Sequence, residues 1–159
     1  MKTNFRFALL LLAITLFSGM TSTPRLLSVN DILNLANHDR SDKGLSPLSL
    51  NPVLSLAALA KAQDMINNRY FAHTSPEGVN PWYWFRALGY KYTYAGENLA
   101  AGFTDPNDLE NSWMNSPDHR ANILSPFYGD VGLAVVKENN VNIIVELFGS
   151  KANQVSVRQ

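Results

Sequence analysis

Cysteine is absent from the 159-residue sequence. A chain without thiols has no disulfides to stabilise it, so an exported protein of this composition must be held by its hydrophobic core alone. The absence also excludes a lipid anchor attached to an N-terminal cysteine. Internal repeats and low-complexity segments are absent as well, and 46% of the residues are hydrophobic, which is typical of a single globular domain.

The sequence also lacks an excess of either positive or negative charge. Lys and Arg together number 13, Asp and Glu together number 13, and the formal net charge is +0. Proteins that bind nucleic acid carry positive surfaces that neutralise phosphates. The sequence therefore excludes nucleic acid as an expected partner.

No apolar run reaches the roughly 20 residues that a membrane-spanning helix needs. The longest, "FALLLLAITLF", follows Lys2 and Arg6 and precedes small residues, which is the layout of a secretory signal peptide. We expect a signal peptide at residues 1–23 and a secreted or extracytoplasmic protein with no membrane span after cleavage. Because no Ala-x-Ala cleavage site is visible, an uncleaved N-terminal anchor stays open. Cleavage would leave a net charge of about −2.

Five helix starts are marked by a capping residue, and proline follows four of them. The capping residues are Ser28, Asn51, Asn80, Asp105 and Ser116. The first helix is predicted to run to about Arg40, and Gly89 is predicted to end the third. In the second helix the pattern predicts an apolar face and a polar face. The apolar face holds Leu56, Leu59, Ala60 and Ile66, and the polar face holds Lys61, Asp64 and Asn68.

Strands are predicted mainly near the end of the chain. The runs "VGLAVVKE" and "VNIIVELFG" are rich in β-branched residues and are separated by "NN", a turn that suits a hairpin. A further strand is predicted within "YKYTYAGEN". Helices followed by an antiparallel hairpin predict an α+β domain in which helices pack on a small sheet.

Three residues are candidates for chemistry. His73 lies on a loop after the second helix, where it either serves a site or only caps the helix. Glu97 lies between Gly96 and Asn98 and is either a site carboxylate or a buried carboxylate bonded to backbone N–H groups. His119 is the third residue of the fifth helix, where the helix dipole disfavours imidazolium, although Asp118 opposes this effect. His38 is interpreted as part of a solvated helix face.

Two imidazoles and one carboxylate match the ligand set of an open zinc site. We therefore expect His73, His119 and Glu97 to bind a metal, with zinc held weakly because two protein nitrogens do not make a structural site. The local H-E-x-x-H pattern is missing. Thr74, Ser75 and Ser116 lie near the histidines, but none is in the G-x-S-x-G turn of a serine hydrolase.

The segments "FAHTSPEG", "GYKYTYAGENLA", "WMNSPDHRANIL" and "DVGLAVV", with "NHDR" in the first helix, resemble the CAP superfamily in order and spacing. This superfamily comprises cysteine-rich secretory proteins, antigen 5 and pathogenesis-related proteins, and the resemblance is to its bacterial, SCP-like branch without cysteines. The resemblance implies a CAP domain at residues 26–150 followed by a tail at 151–159. It also implies an α-β-α sandwich with a small central antiparallel sheet.

The resemblance further implies a cleft lined by two histidines and two glutamates. His73, Glu97 and His119 match the first histidine, the glutamate of Gly-Glu-Asn and the second histidine. The second glutamate is not matched, because Ser116 stands three residues after Trp113 and Glu110 lies three residues before it. No catalytic residue is assigned.

The missing glutamate favours a non-catalytic binding module over the alternative, a metal-dependent, protease-like hydrolase that uses the same cleft. The expected partners are a divalent metal, a small apolar ligand, a lipid or a cell-surface partner. The aromatic segment "PWYWF" and the following tyrosines are interpreted either as core or as the wall of such a ligand site, with at least one ring exposed. Trp113 and Ile123 are predicted to be core residues.

Overall fold

The computed structural model describes residues 27–151, which form five helices and four strands. The helices are α1 (Val29–Asp42), α2 (Pro52–Asn67), α3 (Trp82–Ala87), α4 (Pro106–Asn115) and α5 (Pro117–Ile123). The strands are β1 (Ser49–Leu50), β2 (Tyr92–Ala101), β3 (Asp130–Glu138) and β4 (Val141–Lys151). The predicted signal peptide and all but the first residue of the predicted tail lie outside the described residues.

Capping side chains begin three of the helices as the sequence predicts. Ser28, Asn51 and Asp105 each accept hydrogen bonds from backbone N–H groups in the first turn of α1, α2 and α4. Ser116 precedes α5 but makes no side-chain cap bond. The prediction for α3 is wrong by one residue, because Pro81 rather than Asn80 holds the N-cap position.

The sheet has the order β1-β3-β4-β2. Strands β3 and β4 form the predicted antiparallel hairpin, and β2 pairs antiparallel with β4. Asn139 and Asn140 make the turn with φ angles of 47° and 65°, the left-handed conformation that a two-residue hairpin turn requires. The short strand β1 pairs parallel with β3 and is not predicted from the sequence, so the sheet is mixed rather than wholly antiparallel.

Helices cover both faces of the sheet, which confirms the α-β-α sandwich. On one face α1, α4 and α5 enclose a cluster that includes Trp113 and Ile123, both predicted as core. On the other face α2 and α3 enclose a cluster that includes Leu54, Phe85 and Leu147. Within the described residues, no helix combines the length and the apolar character that crossing a membrane requires.

The predicted faces of α2 are reversed in the structure. Leu56 is 57% exposed, whereas Lys61 is 0% exposed and packs toward the sheet. The buried residues of α2 are Leu54, Ala57, Ala58, Lys61, Ala62 and Met65. The small alanine side chains let the helix lie close to β3, where a Cβ on Gly132 would come within 2.1 Å of the Leu54 backbone.

Arg40 fixes the end of α5 relative to α1. Its guanidinium is 1% exposed and donates hydrogen bonds to the backbone carbonyls of Ser46, Ile123, Ser125 and Tyr128 at 2.7–3.2 Å. A buried guanidinium is stable when its donors are satisfied in this way. The "NHDR" segment thus helps to set the position of the helix that carries His119.

Candidate functional site

His73 and Glu97 are in direct contact. His73 lies in the segment between α2 and α3, and its Nδ1 is 2.7 Å from Oε1 of Glu97 on β2. The His73 side chain is 58% exposed, whereas that of Glu97 is 2% exposed. When the carboxylate is ionised it only accepts hydrogen bonds, so Nδ1 of His73 donates to it, and in the neutral imidazole Nε2 then has a free lone pair. The contact therefore prepares Nε2 of His73 to bind a ligand.

Burial raises the pKa of Glu97, and its neighbours oppose that effect. The hydrogen bond from His73 and the positive charges of Lys61 and His73 lower the pKa of this carboxyl. A buried carboxyl with a cation on either side is more readily ionised than burial alone would allow.

His119 approaches the same region from the other side of the sheet. Its backbone carbonyl accepts a hydrogen bond from Nδ2 of Asn98 at 3.3 Å, and its ring centroid is 6.3 Å from that of Trp113. Burial and the nearby charge of His73 lower the pKa of His119, while Asp118 raises it. The predicted preference for a neutral ring agrees with this direction, although burial is the largest cause.

A cavity of about 440 Å³ opens beside the His73–Glu97 pair. Its lining residues are His73, Thr74, Asn80, Pro81, Trp82, Ala95, Gly96, Glu97 and Asn122. It combines one aromatic ring with amide, imidazole and carboxyl groups, which is a common composition for a ligand site. His119 is outside this set but close enough to His73 for their charges to interact.

Asn122 ties α5 to β2 at the floor of the cavity. Its Nδ2 donates to the backbone carbonyl of Glu97 at 3.1 Å and to Oδ1 of Asn98 at 2.9 Å. Gly96 directly precedes Glu97, and a Cβ on Gly96 would come within 2.6 Å of Oδ1 of Asn122. Gly96 therefore allows α5 to lie close to β2. The next two residues, Glu97 and Asn98, point to opposite faces of the sheet.

The three predicted metal ligands do not form a closed ligand cluster. Among residues 27–151, the group of three with potential ligand atoms all within 4.8 Å of one another is His38, Asp39 and Asp42. His38 is exposed, and its Nδ1 is 3.8 Å from the Asp42 carboxylate, an arrangement common on solvated helices. In the cleft, Glu97 contacts His73 instead of pointing with both histidines to one centre. Metal binding by His73, His119 and Glu97 stays a prediction.

Lys61 is the site residue that the sequence analysis missed. The ammonium group lies beneath the His73 segment and donates to the backbone carbonyl of His73 at 3.0 Å. The repeat of small residues at Ala57, Ala58 and Ala62 is a signal that could have placed Lys61 on the buried face, because these positions share one side of a helix.

Two further buried carboxyls lie on the face of the sheet opposite to Glu97. Glu110 of α4 and Glu146 of β4 are 4% and 0% exposed. Burial, the charge of Glu146 and that of Asp39 raise the pKa of Glu110 to about 9. Burial raises the pKa of Glu146 to about 8, against a lowering by its hydrogen bond from Asn98. Glu110 is not among the residues that line the cavity beside His73 and Glu97.

The chain is similar to known proteins in both sequence and structure. The model of the cysteine-rich secretory protein (CAP) family matches residues 33–148. The chain is 37% identical over 123 residues to the uncharacterized Bacillus subtilis protein YkwD, a match that covers 76% of this chain and 48% of YkwD. It is 30% identical over 108 residues to the uncharacterized Bacillus subtilis membrane protein YlbC, covering 68% of this chain and 31% of YlbC. The chain thus spans less than half the length of these two relatives.

Solved structures have the same fold. An extracellular protein from Bacillus anthracis that contains an SCP domain superposes with a TM-score of 0.67 and 29% identity, covering 77% of this chain and 40% of that protein. An outer surface protein from Borrelia burgdorferi superposes with a TM-score of 0.71 and 24% identity, covering 81% of this chain and 99% of that protein. The second likeness concerns the fold alone.

Proposed function

The chain belongs to the cysteine-rich secretory protein (CAP) family, and from this premise we propose that it is an exported, non-catalytic binding module whose histidine- and glutamate-containing cleft binds a divalent metal or a small apolar ligand. The observation that carries the proposal is the 2.7 Å contact between Nδ1 of His73 and Oε1 of Glu97. A histidine oriented by a carboxylate presents its other nitrogen to a ligand.

Zinc is the metal that fits these donors best, because imidazole nitrogen is a preferred zinc ligand. Nε2 of His73 and a ring nitrogen of His119 would hold the ion, and Glu97 would orient His73 rather than bind directly. Two protein ligands make a weak, exchangeable site, since structural zinc sites have four. A bound ion would supply a positive charge that attracts an anionic or carbonyl-bearing group.

A small apolar ligand or a lipid is the second kind of guest. Trp82 lines the cavity and packs against Phe85 and Tyr92, with ring centroids 5.8 and 6.4 Å away. The ring is half-buried, so one side supports the core while the other is accessible. This supports Trp82 as the apolar wall of the site.

Export is proposed from the N-terminal sequence. Residues 1–23 have the layout of a signal peptide, and the Bacillus anthracis relative is described as extracellular. A secreted or extracytoplasmic location would bring the cleft to lipids or to cell-surface partners.

A metal-dependent hydrolase remains the second candidate because of one atom. Oε2 of Glu97 is buried and has no hydrogen-bond partner among the described residues, so it is available to take a proton from a bound water. Hydrolysis of a peptide library by the wild-type protein, lost in His73→Ala and His119→Ala, would favour this candidate over a binding module.

The test of the metal site is a zinc titration of the exported protein by calorimetry, followed by NMR of the histidine rings. We expect a dissociation constant in the micromolar range or weaker, and loss of affinity as the pH falls from about 7 to 5.5, because protons compete for the imidazoles. His73→Ala and His119→Ala should each abolish binding. Glu97→Gln should weaken it about 10- to 100-fold, as the loss of an orienting partner does.

His38→Ala is the matched control, because His38 lies in the exposed group with Asp39 and Asp42. This variant should bind zinc as the wild type does. Zinc binding that depends on His38, or ring signals of His73 and His119 that do not respond to zinc, would remove the metal from the proposal.

A further inference from the structure

Lys61 is a fully buried charged residue in the middle of α2, with 0% of its surface exposed. Lysine is almost never buried to this extent unless its charge is compensated, because moving an ammonium group out of water is costly. An aliphatic residue of similar size would fill the same space without that cost. The position of this charge therefore needs a reason beyond packing.

The three hydrogens of the ammonium group are matched by three acceptors. Nζ donates to the backbone carbonyl of Ala72 at 2.9 Å, to that of His73 at 3.0 Å and to the hydroxyl of Tyr70 at 3.0 Å. Two of the three acceptors thus belong to the segment that carries His73. An ammonium group donates at most three hydrogen bonds, so all of its capacity is used here.

Tyr70 contacts the ammonium group, and Asp64 in turn holds Tyr70. Nζ lies 4.7 Å from the centroid of the Tyr70 ring, and the Tyr70 hydroxyl donates to Asp64. Asp64 also accepts a hydrogen bond from Asn68 at 2.8 Å. The end of α2 therefore holds Lys61 in one position, which in turn restrains the main chain of His73.

Charge links Lys61 to the other member of the pair. Glu97 raises the pKa of Lys61 against the lowering caused by burial, and Lys61 lowers the pKa of Glu97. Each group therefore favours the charged form of the other. The same side chain donates to the backbone of His73 and interacts electrostatically with the carboxylate that His73 binds.

We infer that Lys61 is a positioning residue for the His73–Glu97 pair: its ammonium group holds the backbone of His73 and supplies the positive charge that the Glu97 carboxylate faces. The inference rests on the proposed function of the cleft as a ligand site, but the arrangement of His73 and Glu97 can be measured without any ligand. Lys61 does not contact the cavity itself, since it is not among the lining residues.

The experiment uses the absence of cysteine from the sequence. The exported protein with Lys61→Cys has one thiol, which is alkylated in denaturant with 2-bromoethylamine to restore an ammonium group of nearly the same length. Alkylation with 1-bromopropane gives a neutral chain of the same shape. After refolding, the two forms differ only in the terminal group, and Lys61→Met provides a genetically encoded neutral variant. Lys137→Met, at an exposed position, is the control for loss of a lysine.

The readouts are the ¹⁵N shifts of the His73 ring, which report its tautomer, and the zinc affinity. The wild type, the aminoethylated form and Lys137→Met should have His73 protonated at Nδ1. The propylated form and Lys61→Met should have mixed tautomers and bind zinc about 10- to 100-fold more weakly, as expected for loss of support around a ligand. Restoration of both properties by aminoethylation would separate positioning from mere space filling.

A wild-type His73 tautomer in a folded neutral variant would overturn the inference, whether or not zinc binds. If neither neutral form folds, Lys61→Gln takes their place, because its amide keeps two N–H donors without the charge. An aminoethylated protein that folds but has mixed His73 tautomers would also overturn the inference. Failure of the wild type to bind zinc would count against the metal site alone and would leave the tautomer result standing.

Discussion

The two faces of the sheet bury carboxyl groups among different neighbours. On the α2 face, Glu97 meets the imidazole of His73 and the charge of Lys61. On the other face, Glu146 accepts a hydrogen bond from Asn98 at 3.1 Å, and Glu110 faces Glu146 and Asp39. Burial raises the pKa of the carboxyls on both faces, but cations oppose the rise at Glu97, whereas like charges add to it at Glu110.

Glutamate therefore serves a different purpose on each face of the sheet. The Glu97 side chain has partners that favour its ionised form, so it is suited to orienting His73. Glu110 and Glu146, with pKa values raised to about 9 and about 8, hold protons at neutral pH and act as neutral polar groups in the core. The identity of a buried residue therefore does not define its role, whereas the charges of its neighbours do.

The largest expected effect is that of Trp113→Ala, on the face that holds the protonated carboxyls. Trp113 is 2% exposed, and its indole N–H donates to the backbone carbonyl of Leu99 at 3.4 Å. Truncation of a buried tryptophan should lower the free energy of unfolding by about 3–5 kcal/mol, measured by urea denaturation. Because the Trp113 ring lies near His119 but not near His73, the NMR signals of His119 should shift more in this variant than those of His73.

Tyr83→Ala is the control for loss of an aromatic ring, because Tyr83 is 48% exposed. Its effect on the free energy of unfolding should stay within about 0.5 kcal/mol. A melting temperature of Trp113→Ala within one degree of wild type would show that the core of this face is assigned wrongly.

A smaller effect is expected from Glu146→Gln, and it depends on pH. The pKa of Glu146 in the folded protein, about 8, exceeds its ordinary value of 4.5, so the folded state binds the proton more tightly than the unfolded state. The stability from this group is fully present below about pH 4.5 and is lost as the pH rises toward 8. Glutamine keeps the acceptor for Asn98 without titrating, so the variant should melt at least about 2 °C above wild type at pH 9.

The same variant should match the wild type at pH 5, where the carboxyl is largely protonated. Because Glu110 still titrates, Glu146→Gln should only reduce the pH dependence of the melting temperature. The double variant, with both Glu110→Gln and Glu146→Gln, should remove most of that dependence. Glu138→Gln, at an exposed position, should leave the melting curve unchanged at both pH values. Equal losses of stability between pH 5 and 9 in the wild type and the double variant would contradict the assignment of neutral carboxyls to this face.

The smallest expected effect is that of the redox state of the buffer. Neither face of the sheet contains a thiol, since the sequence has no cysteine, so refolding yield and melting temperature should be the same with and without a reductant. A dependence on an oxidant, measured by refolding from urea in both buffers, would mean that the two cores do not hold the chain by themselves.

The sequence predicted those parts of the fold that short-range rules decide. The caps at Ser28, Asn51 and Asp105 and the turn at Asn139 and Asn140 each follow from the backbone geometry that one or two residues prefer. The sandwich itself was expected from a resemblance that extends through most of the chain, and the helices on both faces of the sheet confirm it. The contact of His73 with Glu97 brings together two of the three residues that the resemblance implied for the cleft.

The parts that were not predicted depend on contacts between distant segments. The strand β1 has two residues and exists only because β3 is beside it, so no local pattern marks it. The buried face of α2 differs from the predicted one because Leu54 and three alanines pack on the sheet, which leaves Leu56 outside and places Lys61 inside. Glu110 and Glu146 look like surface residues in the sequence, and only the folded structure reveals their burial.

The tethering of α5 and α4 to β2 has a consequence for how molecules of this protein meet one another. Strand β2 is at the edge of the sheet, and an open edge is a template for intermolecular strand pairing and aggregation. The outward carbonyls of Glu97 and Leu99 are already bonded to Asn122 and Trp113, so they are unavailable to a strand from a second chain. Asn122 and Trp113 thereby cover two of the acceptors that this edge of the sheet would otherwise offer to a second chain.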